Sequence, residues 1–529
     1  MHRSTLLAVL ICVAALLASE PQSTSRALGV RAPTYAVVIV LDGARPDYFH
    51  LTAMPNLHWL QGQGVTYSHA FVGQLIANTP PSHATIGTGV FPRRHGVEGF
   101  WWTDPRTGEL IRPTDLAEVQ GGMLEQVISD HHVPSISARL KESDRNARVV
   151  SASGHKCYAA DAMGTASADY ILCAVIYHGR WVAQAVRRHL PPPGAVTNPH
   201  WDVSIPPPSS SFGAAVQQWK VGAENDWTVR YALWAFHRVH YPRLMMINLP
   251  ETDVTGHFAL HNTPVETTLM AHFDRELGSL IAAYRDAHLL PHTVFVVTAD
   301  HGMSSVQARL PFSTLDRAVY LAGASKVYLE ADTGAAIGIR QLDRARAVAL
   351  EVARLGGAAI DATYYKRRRS GVWSYAAAYT RASLTVRMRQ AFRMLAETDA
   401  SAEGPEVLAV YAPHVTTGDR IANGYHWWAG HLGPQWDEQH IPLLIAGVGV
   451  QHHRVSSYPA RLVDIAPTVE QLMGLRSNGV DGNVLADAVQ SSSRTDRSRQ
   501  SVRAAGLLPV IRALQERSLD TYPITPPGS

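Results

Sequence analysis

The sequence is poor in cysteine, close to neutral in charge, and has a single apolar run of notable length. It contains three cysteines in 529 residues, and its formal net charge is +3. A charge this close to zero argues against electrostatic binding of a nucleic-acid duplex as the main role. The apolar run, residues 6–17, is about half of the roughly 20 residues that a membrane-spanning helix needs. We therefore expect neither a nucleic-acid duplex as partner nor stable membrane insertion.

The first residues follow the order that is typical of a signal peptide. His2 and Arg3 precede the apolar run, and the polar stretch 20–26 follows it. We expect residues 1–27 to be removed and the remaining chain to be secreted or periplasmic. Cleavage near Ala18 is an alternative.

Two cysteines, Cys157 and Cys173, would remain after such processing. In an oxidising compartment they could form a disulfide. Two separate buried thiols fit the sequence equally well, so the sequence leaves their pairing open.

Five short apolar runs are typical of strands that are buried on both faces of a sheet. They cover Tyr35–Leu41, 148–151, Leu244–Leu249, Thr293–Thr298 and 441–446. Helical segments lie between them. This alternation predicts an α/β fold, with a central, largely parallel sheet that is flanked by helices.

The segment 307–423 interrupts the alternation, and we expect it to form an inserted cap subdomain beside the site. The catalytic core would then consist of residues 28–306 and residues 424–485. After residue 485 the chain is rich in serine and arginine and ends in prolines. We expect residues 486–529 to form a poorly ordered tail, with one short possible helix near residues 507–514.

Acidic residues follow three of the predicted strands. They are Asp42, Asp253 and Asp300. Open α/β sheets bind ligands at the carboxyl ends of their strands, so these acids could converge on one crevice.

Histidines accompany two of these acids and occur once more before the last predicted strand. The patterns are Asp253-Val-Thr-Gly-His257, Asp300-His301-Gly and Gly430-His431-Leu-Gly433. Carboxylates and imidazoles in such clusters are ligands that suit zinc. Each pattern alone also fits hydrogen-bonded loop residues, but their combination favours a metal site.

Thr79 precedes two prolines, Pro80 and Pro81. Proline is tolerated in a helix only in its first turn, so we expect Thr79 to be the N-cap of a helix. A hydroxyl there would face free backbone N–H groups and the positive end of the helix dipole, which favours phosphate binding. A purely structural capping role is the alternative.

These patterns occur in the order seen in type I phosphodiesterases/nucleotide pyrophosphatases of the alkaline phosphatase superfamily. The matching segments are Val38-Ile-Val-Leu-Asp42-Gly, residues 79–89, Pro92-Arg-Arg-His95-Gly96, Asp253-x-x-Gly-His257, Asp300-His301-Gly-Met303 and Gly430-His431. Through Ser153-Gly-His-Lys156 the chain also resembles the threonine-dependent alkaline phosphatases. The resemblance covers about residues 35–485 and implies an alkaline phosphatase-like fold.

The resemblance also implies a site with two divalent metal ions, zinc in particular. Its ligands would be Asp253, His257 and His431 for one ion, and Asp42, Asp300 and His301 for the other. Thr79 would bind the second ion and act as the nucleophile, forming a phosphothreonine intermediate. A threonine hydroxyl is a weak nucleophile until a cation stabilises its alkoxide.

Two positions depart from the pattern of the relatives. Where the relatives carry an asparagine that contacts the phosphoryl group, this chain has Phe100. Where the alkaline phosphatases carry an arginine two residues after their lysine, this chain has Tyr158. Lys156 keeps the lysine position, so Lys156 and Phe100 are our candidates for substrate binding. Phe100, with Trp101 and Trp102, could offer apolar surface to the second ester group of a diester.

The resemblance therefore implies hydrolysis of a small-molecule phosphate ester, a phosphodiester or pyrophosphate in particular. An alkaline phosphomonoesterase or a phosphonate hydrolase with the same two metals is the nearest alternative. A metal-binding surface protein with weak catalysis is a further alternative, because Phe100 removes a phosphate-binding amide. Nothing in the sequence points to an oligomeric state.

Overall fold

The computed structural model describes residues 35–114, 116–177, 180–187, 221–259, 263–418, 421–422, 425–426 and 428–517. The expected signal peptide, residues 1–27, lies outside these residues. Among the helices that are described, none is both long and apolar enough to cross a membrane.

A mixed sheet of nine strands forms the centre of the molecule. In spatial order its strands, numbered along the chain, are Arg454–Ser456 (β23), Gly64–Tyr67 (β2), Leu443–Gly447 (β22), Thr293–Thr298 (β10), Tyr35–Leu41 (β1), Leu244–Leu249 (β9), Val149–Ser153 (β6), Tyr170–Tyr177 (β7) and Arg180–Arg187 (β8). The five strands from β10 to β7 are parallel. β22 and β8 run antiparallel to their neighbours. The predicted α/β fold with a largely parallel central sheet is confirmed.

α-Helices connect the strands of this sheet and those of a second, smaller sheet. In chain order they are Pro55–Gly62 (α1), Thr79–Thr88 (α2), Pro92–His95 (α3), Leu116–Gly121 (α4), Met123–Asp130 (α5), Ile136–Ser143 (α6), Cys157–Gly164 (α7), Ala223–Arg238 (α8), Glu251–Ala259 (α9), Thr263–Asp286 (α10), Phe312–Leu321 (α11), Ala345–Gly356 (α12), Val386–Ala396 (α13), Trp436–Gln439 (α14), Ile465–Leu472 (α15) and Arg494–Gln515 (α16).

A second sheet of five antiparallel strands lies within the segment 307–423. In spatial order its strands are Lys326–Ala331 (β13), Gly334–Ile339 (β14), Val407–Tyr411 (β17), Ile360–Arg369 (β15) and Val372–Thr380 (β16). Side chains alternate between the two faces of a strand. Val407, Ala409 and Tyr411 accordingly pack in the apolar cluster of α11 and α12, whereas Leu408 and Val410 pack in that of α13 and α16.

Short two-stranded ladders complete the sheet structure. They pair Ala70–Phe71 (β3) with Ala460–Arg461 (β24), Trp102–Thr103 (β4) with Leu110–Ile111 (β5), Ser304–Ser305 (β11) with Ala429–Gly430 (β21), Ala308–Leu310 (β12) with Val415–Thr417 (β18), and Ile421–Ala422 (β19) with Tyr425–His426 (β20).

Cys157 and Cys173 form a disulfide. The bond joins the first residue of α7 to strand β7, in a small apolar cluster that includes Val119. The structure thus resolves the alternative that the sequence left open.

The C-terminal segment differs from the poorly ordered tail that we expected for residues 486–529. Helix α16 begins with a capping box, in which Ser493 Oγ accepts a hydrogen bond from Asp496 N at 3.0 Å. Leu507, Ile511 and Leu514 are buried against α13. The expectation is therefore wrong for residues 494–515, because one apolar face is enough to dock a helix whose average composition is polar.

Candidate active site and metal centre

The three acids that follow predicted strands meet at one edge of the central sheet. Strands β10, β1 and β9 are parallel neighbours, so their carboxyl ends lie side by side. Asp300 follows β10, Asp42 follows β1, and Asp253 lies in the first turn of α9 after β9. All three side chains are buried. The convergence that the sequence suggested is observed.

The first expected ligand group surrounds one oxygen of Asp253. Asp253 and His257 lie four residues apart on α9, and His431 follows β21. Both histidines place Nε2 3.3 Å from Asp253 Oδ1. Ligand atoms around a tetrahedral zinc ion, with bonds of about 2.1 Å, lie roughly 3.4 Å apart. The two distances to Asp253 Oδ1 therefore suit ligand atoms that share a metal ion.

The second expected ligand group lies beside the first. His301 Nε2 is 3.4 Å from Asp300 Oδ2 and 3.7 Å from Asp42 Oδ1. It is also 4.0 Å from Asp253 Oδ1, so His301 is adjacent to both groups. By distance alone, the clusters here that could hold an ion are Asp253, His301 and His431, and Asp42, Asp300 and His301. His257 is the one expected Asp or His ligand that is outside both clusters.

Backbone carbonyls fix the orientation of all three imidazoles. Nδ1 of His257 lies 2.8 Å from the oxygen of Ala429, and Nδ1 of His301 lies 3.0 Å from that of Gly302. His431 makes the same contact, at 2.9 Å, with Ala77. A carbonyl can only accept, so each Nδ1 must carry the hydrogen, and Nε2 is left to bind a metal.

Two carboxylate oxygens in these groups accept no hydrogen bond from the residues that the structure describes. They are Asp253 Oδ1 and Asp300 Oδ2, and both are buried. A buried acceptor without a donor is costly. Each of these oxygens lies beside an imidazole Nε2, so either a hydrogen on that nitrogen or a metal ion between the two atoms satisfies it. Burial lowers the pKa of His431, but Asp253 outweighs burial and raises that pKa to about 9 in the metal-free site.

Burial and crowding of charge shift the pKa values of the metal-free site. Burial raises the pKa of Asp42, and the nearby Asp300 carboxylate raises it further. Burial lowers the pKa of His301 well below its usual range, with His431 adding to the effect. Burial alone would raise the pKa of Asp253, but Lys156 and His257 outweigh it and hold that pKa well below its usual range. The site is thus built around negative charge that is balanced by cations.

Thr79 is the first residue of helix α2, and Asn78 is its N-cap. The prediction that Thr79 itself is the N-cap is therefore wrong by one residue. The Asn78 side chain accepts a hydrogen bond from Thr79 N at 2.9 Å. Ser82 N donates to Asn78 O at 3.1 Å, and the two prolines between them have no N–H. This first turn therefore has no free N–H group for a phosphate. Asn78 accepts the hydrogen bonds of Thr79 N and Ser82 N, and the prolines have no N–H to offer.

The Thr79 hydroxyl nevertheless lies at the second ligand group. Its Oγ is 3.5 Å from Asp42 Oδ1, 3.5 Å from His301 Nε2 and 3.4 Å from Lys156 Nζ. Thr79 is 1% exposed. The hydroxyl is thus held at the boundary between the acids, the imidazoles and a lysine.

Lys156 connects the two ligand groups. It follows β6, the strand beside β9, and its Nζ lies 2.8 Å from Asp42 Oδ1 and 2.7 Å from Asp253 Oδ2. Burial lowers the pKa of Lys156, but the two carboxylates outweigh burial and raise that pKa well above its usual range. The structure thus places the Lys156 ammonium group between two carboxylates, one from each expected ligand group.

The two residues that depart from the family pattern touch each other. The rings of Phe100 and Tyr158 meet edge to face, with centroids 5.6 Å apart. Trp101 beside them is 39% exposed. Trp102 is fully buried in an apolar cluster, so the expectation that it offers surface to a substrate is wrong. Its side chain points into the core because the short strand β4 alternates its faces.

Two polar residues of the site were missed by the sequence analysis. Glu330 of β13 accepts hydrogen bonds from the Asn78 side chain and, at 2.8 Å, from Phe100 N. Burial raises the pKa of Glu330 to about 7. Asn248 donates to Asp42 Oδ2 at 3.0 Å, and its position in the apolar run of β9 is a signal that could have been used.

Comparison with known proteins agrees with this arrangement. A family model described as type I phosphodiesterase/nucleotide pyrophosphatase matches residues 36–382. An uncharacterised pyrophosphatase/phosphodiesterase of Schizosaccharomyces pombe is 37% identical over 73 residues, which is 14% of this chain and 15% of that protein. The chain thus matches only a small part of the length of this relative.

Solved structures share the fold at low sequence identity. Human ectonucleotide pyrophosphatase/phosphodiesterase 5 has a TM-score of 0.56 at 16% identity, covering 86% of this chain and all of that chain. The inactive murine protein in complex with AMP has a TM-score of 0.54 at 17% identity, covering 85% of this chain and 97% of that chain. Alkaline phosphatase PafA has a TM-score of 0.62 at 15% identity, covering 87% of this chain and all of that chain.

The family model spans more than half of the chain, and the solved structures share its architecture. The chain therefore belongs to the type I phosphodiesterase/nucleotide pyrophosphatase family, a family of phosphoric ester hydrolases.

Proposed function

We propose that the protein hydrolyses phosphodiesters or pyrophosphates through a phosphothreonine intermediate at Thr79, with two divalent metal ions, zinc in particular. The observation that carries the proposal is the position of the Thr79 hydroxyl, 3.5 Å from Asp42 Oδ1 and 3.4 Å from Lys156 Nζ. A nucleophile at this point lies next to one expected metal position and next to a buried cation.

The residues present fit the metals that the family requires. Asp253 Oδ1 and Asp300 Oδ2 are buried oxygens without a hydrogen-bond donor among the described residues. One ion would be held by Asp253, His257 and His431, and the other by Asp42, Asp300 and His301 with the Thr79 hydroxyl. When bound, the ions would supply the positive charge that stabilises the attacking and leaving oxygens of an in-line displacement.

Hydrolysis would proceed in two displacements at phosphorus. In the first, Thr79 Oγ bonds to phosphorus and loses its proton to solvent, while the bond from phosphorus to the leaving oxygen breaks and that oxygen takes up a proton. In the second, a water oxygen bonds to phosphorus and loses a proton to solvent, the bond from phosphorus to Thr79 Oγ breaks, and the threonine oxygen takes up a proton. Splitting one difficult displacement into two easier ones is the general advantage of covalent catalysis.

Lys156 would hold the phosphoryl group during both displacements. In the metal-free site Asp253 and Asp42 outweigh burial and raise the pKa of its ammonium group. Nζ is 3.4 Å from Thr79 Oγ, which is close enough to donate a charge-assisted hydrogen bond to an oxygen of a phosphoryl group on that atom.

Phe100 and Tyr158 favour a diester over a monoester. A monoester carries more charge and more free oxygens, so its hydrolysis benefits more from additional hydrogen-bond donors. At these two positions the chain instead has a pair of aromatic rings in contact. Their edge offers apolar surface to the second ester group. The AMP complex of the murine structural neighbour suggests nucleotide esters as a substrate class to test.

The segment 307–423 is proposed to act as a cap that positions the loop around Thr79. Glu330 of β13 accepts hydrogen bonds from the N-cap side chain and from the backbone of Phe100. Asp332, which directly follows the same strand, accepts a hydrogen bond from His431 N at 3.2 Å. One edge of the cap thus contacts the N-cap residue before the nucleophile, the backbone of Phe100 and a proposed metal ligand.

We also propose that residues 1–27 direct the protein to the periplasm or the outside of the cell. The disulfide between Cys157 and Cys173 supports this, because such bonds persist in oxidising compartments. Cell fractionation with N-terminal sequencing of the exported protein tests the proposal. An intact N-terminus on protein found in the cytoplasm would contradict it.

The test of the proposed function is catalytic efficiency on matched aryl esters. We expect kcat/KM for bis(p-nitrophenyl) phosphate to exceed that for p-nitrophenyl phosphate about tenfold or more. A p-nitrophenyl ester of a nucleoside monophosphate tests the nucleotide class. Turnover of none of these esters by the metal-loaded protein would contradict the proposal.

Phosphomonoester hydrolysis is the second candidate, and it is favoured by one observation. Lys156 Nζ lies 3.4 Å from Thr79 Oγ, and an ammonium group at this point could serve a monoester dianion without the missing arginine and asparagine. A clear preference for p-nitrophenyl phosphate in the same assay would select this candidate.

A further inference from the structure

We propose that Asp226, His272 and Glu276 bind a third divalent metal ion, zinc in particular, between helices α8 and α10. Their ligand atoms all lie within 4.8 Å of one another. The three residues include none of the candidate active-site residues. The proposal is therefore independent of the proposed function.

Helical spacing brings the three side chains together. His272 and Glu276 are four residues apart on α10 and so lie on one face of that helix. Asp226 is in the first turn of α8, and α8 packs against α10. Two helices thus present one imidazole and two carboxylates to a common point.

Glu276 is a buried carboxyl group aimed into this cluster. It is 4% exposed, and neither of its oxygens accepts a hydrogen bond from the described residues. Two carboxyl groups this close, one of them buried, need either a shared proton or a metal ion between them. Its place beside two other metal-ligating side chains distinguishes the cluster from an ordinary surface group of acids.

His272 is held in place by the backbone beside it. Gly222 has a φ of +87°, and a Cβ atom at that position would lie 2.3 Å from the His272 ring. Only glycine therefore fits against the imidazole. His272 Nδ1 lies 3.1 Å from Asp226 Oδ2. In the metal-free protein these two atoms share a hydrogen, and a metal ion bound to both would take its place.

The donor set and its accessibility favour a transition metal with an open coordination position. Two carboxylates and one imidazole suit zinc or manganese, whereas calcium and magnesium prefer sites made of six or more oxygens. Ligand atoms around zinc lie roughly 3.4 Å apart, so the side chains would close inward by about an ångström. The side chains of Asp226 and His272 are 39% and 22% exposed, which leaves a path for an ion and for water.

A metal ion at this position would cross-link α8 to α10 near the start of α8. Because the ion would bind the folded state and not the unfolded chain, it would raise the stability of the fold. The ligands are not part of the candidate active site, so we expect its loss to leave phosphodiester turnover within about twofold of the wild type.

Metal analysis of matched variants tests the proposal. Protein dialysed against zinc and then against buffer should hold one zinc equivalent more per chain than the variants His272→Ala and Glu276→Gln. The control His237→Ala, which removes an exposed histidine of the same helix α8, should retain the wild-type metal content. Equal metal content in the wild type and both cluster variants would overturn the proposal.

A second measurement keeps the test decisive if a cluster variant folds poorly. In crystals of the otherwise unaltered protein grown with zinc, an anomalous scattering peak should lie between Asp226, His272 and Glu276. No peak there, with peaks present at the active site, would overturn the third site and leave the proposed function intact. In Asp253→Asn the active-site zinc should be reduced while the peak between the two helices remains.

Discussion

At the scale of single residues, substitution of Thr79 separates nucleophilic catalysis from metal binding. Thr79→Ala removes the proposed nucleophile but none of the six Asp and His ligands. We expect kcat for an aryl phosphodiester to fall about a thousandfold or more, with an unchanged metal content. Thr79→Ser keeps a hydroxyl and should retain a measurable part of the activity. Turnover of Thr79→Ala close to that of the wild type would show that another group attacks phosphorus.

The aromatic pair makes a second prediction at this scale. Phe100→Asn and Tyr158→Arg each add hydrogen-bond donors where the relatives carry them. Each variant should raise kcat/KM for p-nitrophenyl phosphate relative to bis(p-nitrophenyl) phosphate, about fivefold or more, because the monoester has more free oxygens to bind. Trp59→Ala, at an exposed residue outside the site, is the control and should leave the ratio unchanged. A fall in the ratio for both site variants would reject this account of diester preference.

Sequence patterns could identify the residues of the metal site but not all of their surroundings. Asp42, Asp253 and Asp300 follow apolar strands, and this position alone indicated that they could converge. Glu330 belongs to a strand more than 200 residues from Asn78 in sequence, so no local pattern connects the two. The prolines after Thr79 show that a helix begins near this residue, but they do not fix which residue is the N-cap. Asn78, directly before Thr79, is as good a capping residue as threonine, so the sequence alone does not decide between them.

At the scale of elements, helix α16 yields a prediction about stability. Ile511 is 1% exposed and packs against α13. Ile511→Ala should lower the free energy of unfolding by about 2–5 kcal/mol, because it leaves a cavity between the two helices. Val502→Ala on the same helix, at a residue that is 73% exposed, should change it by less than about 0.5 kcal/mol. Equal small effects of both substitutions in denaturant unfolding would contradict the observed packing.

The same helix shows where prediction of elements from sequence fails. The strands Tyr35–Leu41, Leu244–Leu249 and Thr293–Thr298 were predicted with the bounds that the structure shows, because apolar runs buried on both faces end abruptly at polar residues. The first half of α16 is polar, and its docking depends on the cap sheet and α13. A helix that is stabilised by tertiary contacts gives a weak signal in its own composition.

At the scale of the whole molecule, the topology explains why a scattered set of motifs forms one site. The order β10, β1, β9 and β6 places Asp300, Asp42, Asp253 and Lys156 along one edge of the central sheet. The general rule for parallel sheets predicted the convergence of the acids. The strand order itself was not available from the sequence, and neither was the contact of the cap with the loop before Thr79.

The central claim is that bound divalent metal enables this fold to cleave phosphate esters. The most direct measurement is the rate of bis(p-nitrophenyl) phosphate hydrolysis by protein that has been stripped by a chelator, shown to be metal-free, and then titrated with zinc. The account predicts no turnover by the stripped protein and recovery to within about twofold of the original rate once both active-site positions are filled. Full turnover by the metal-free protein, or none by the fully loaded protein, would contradict it.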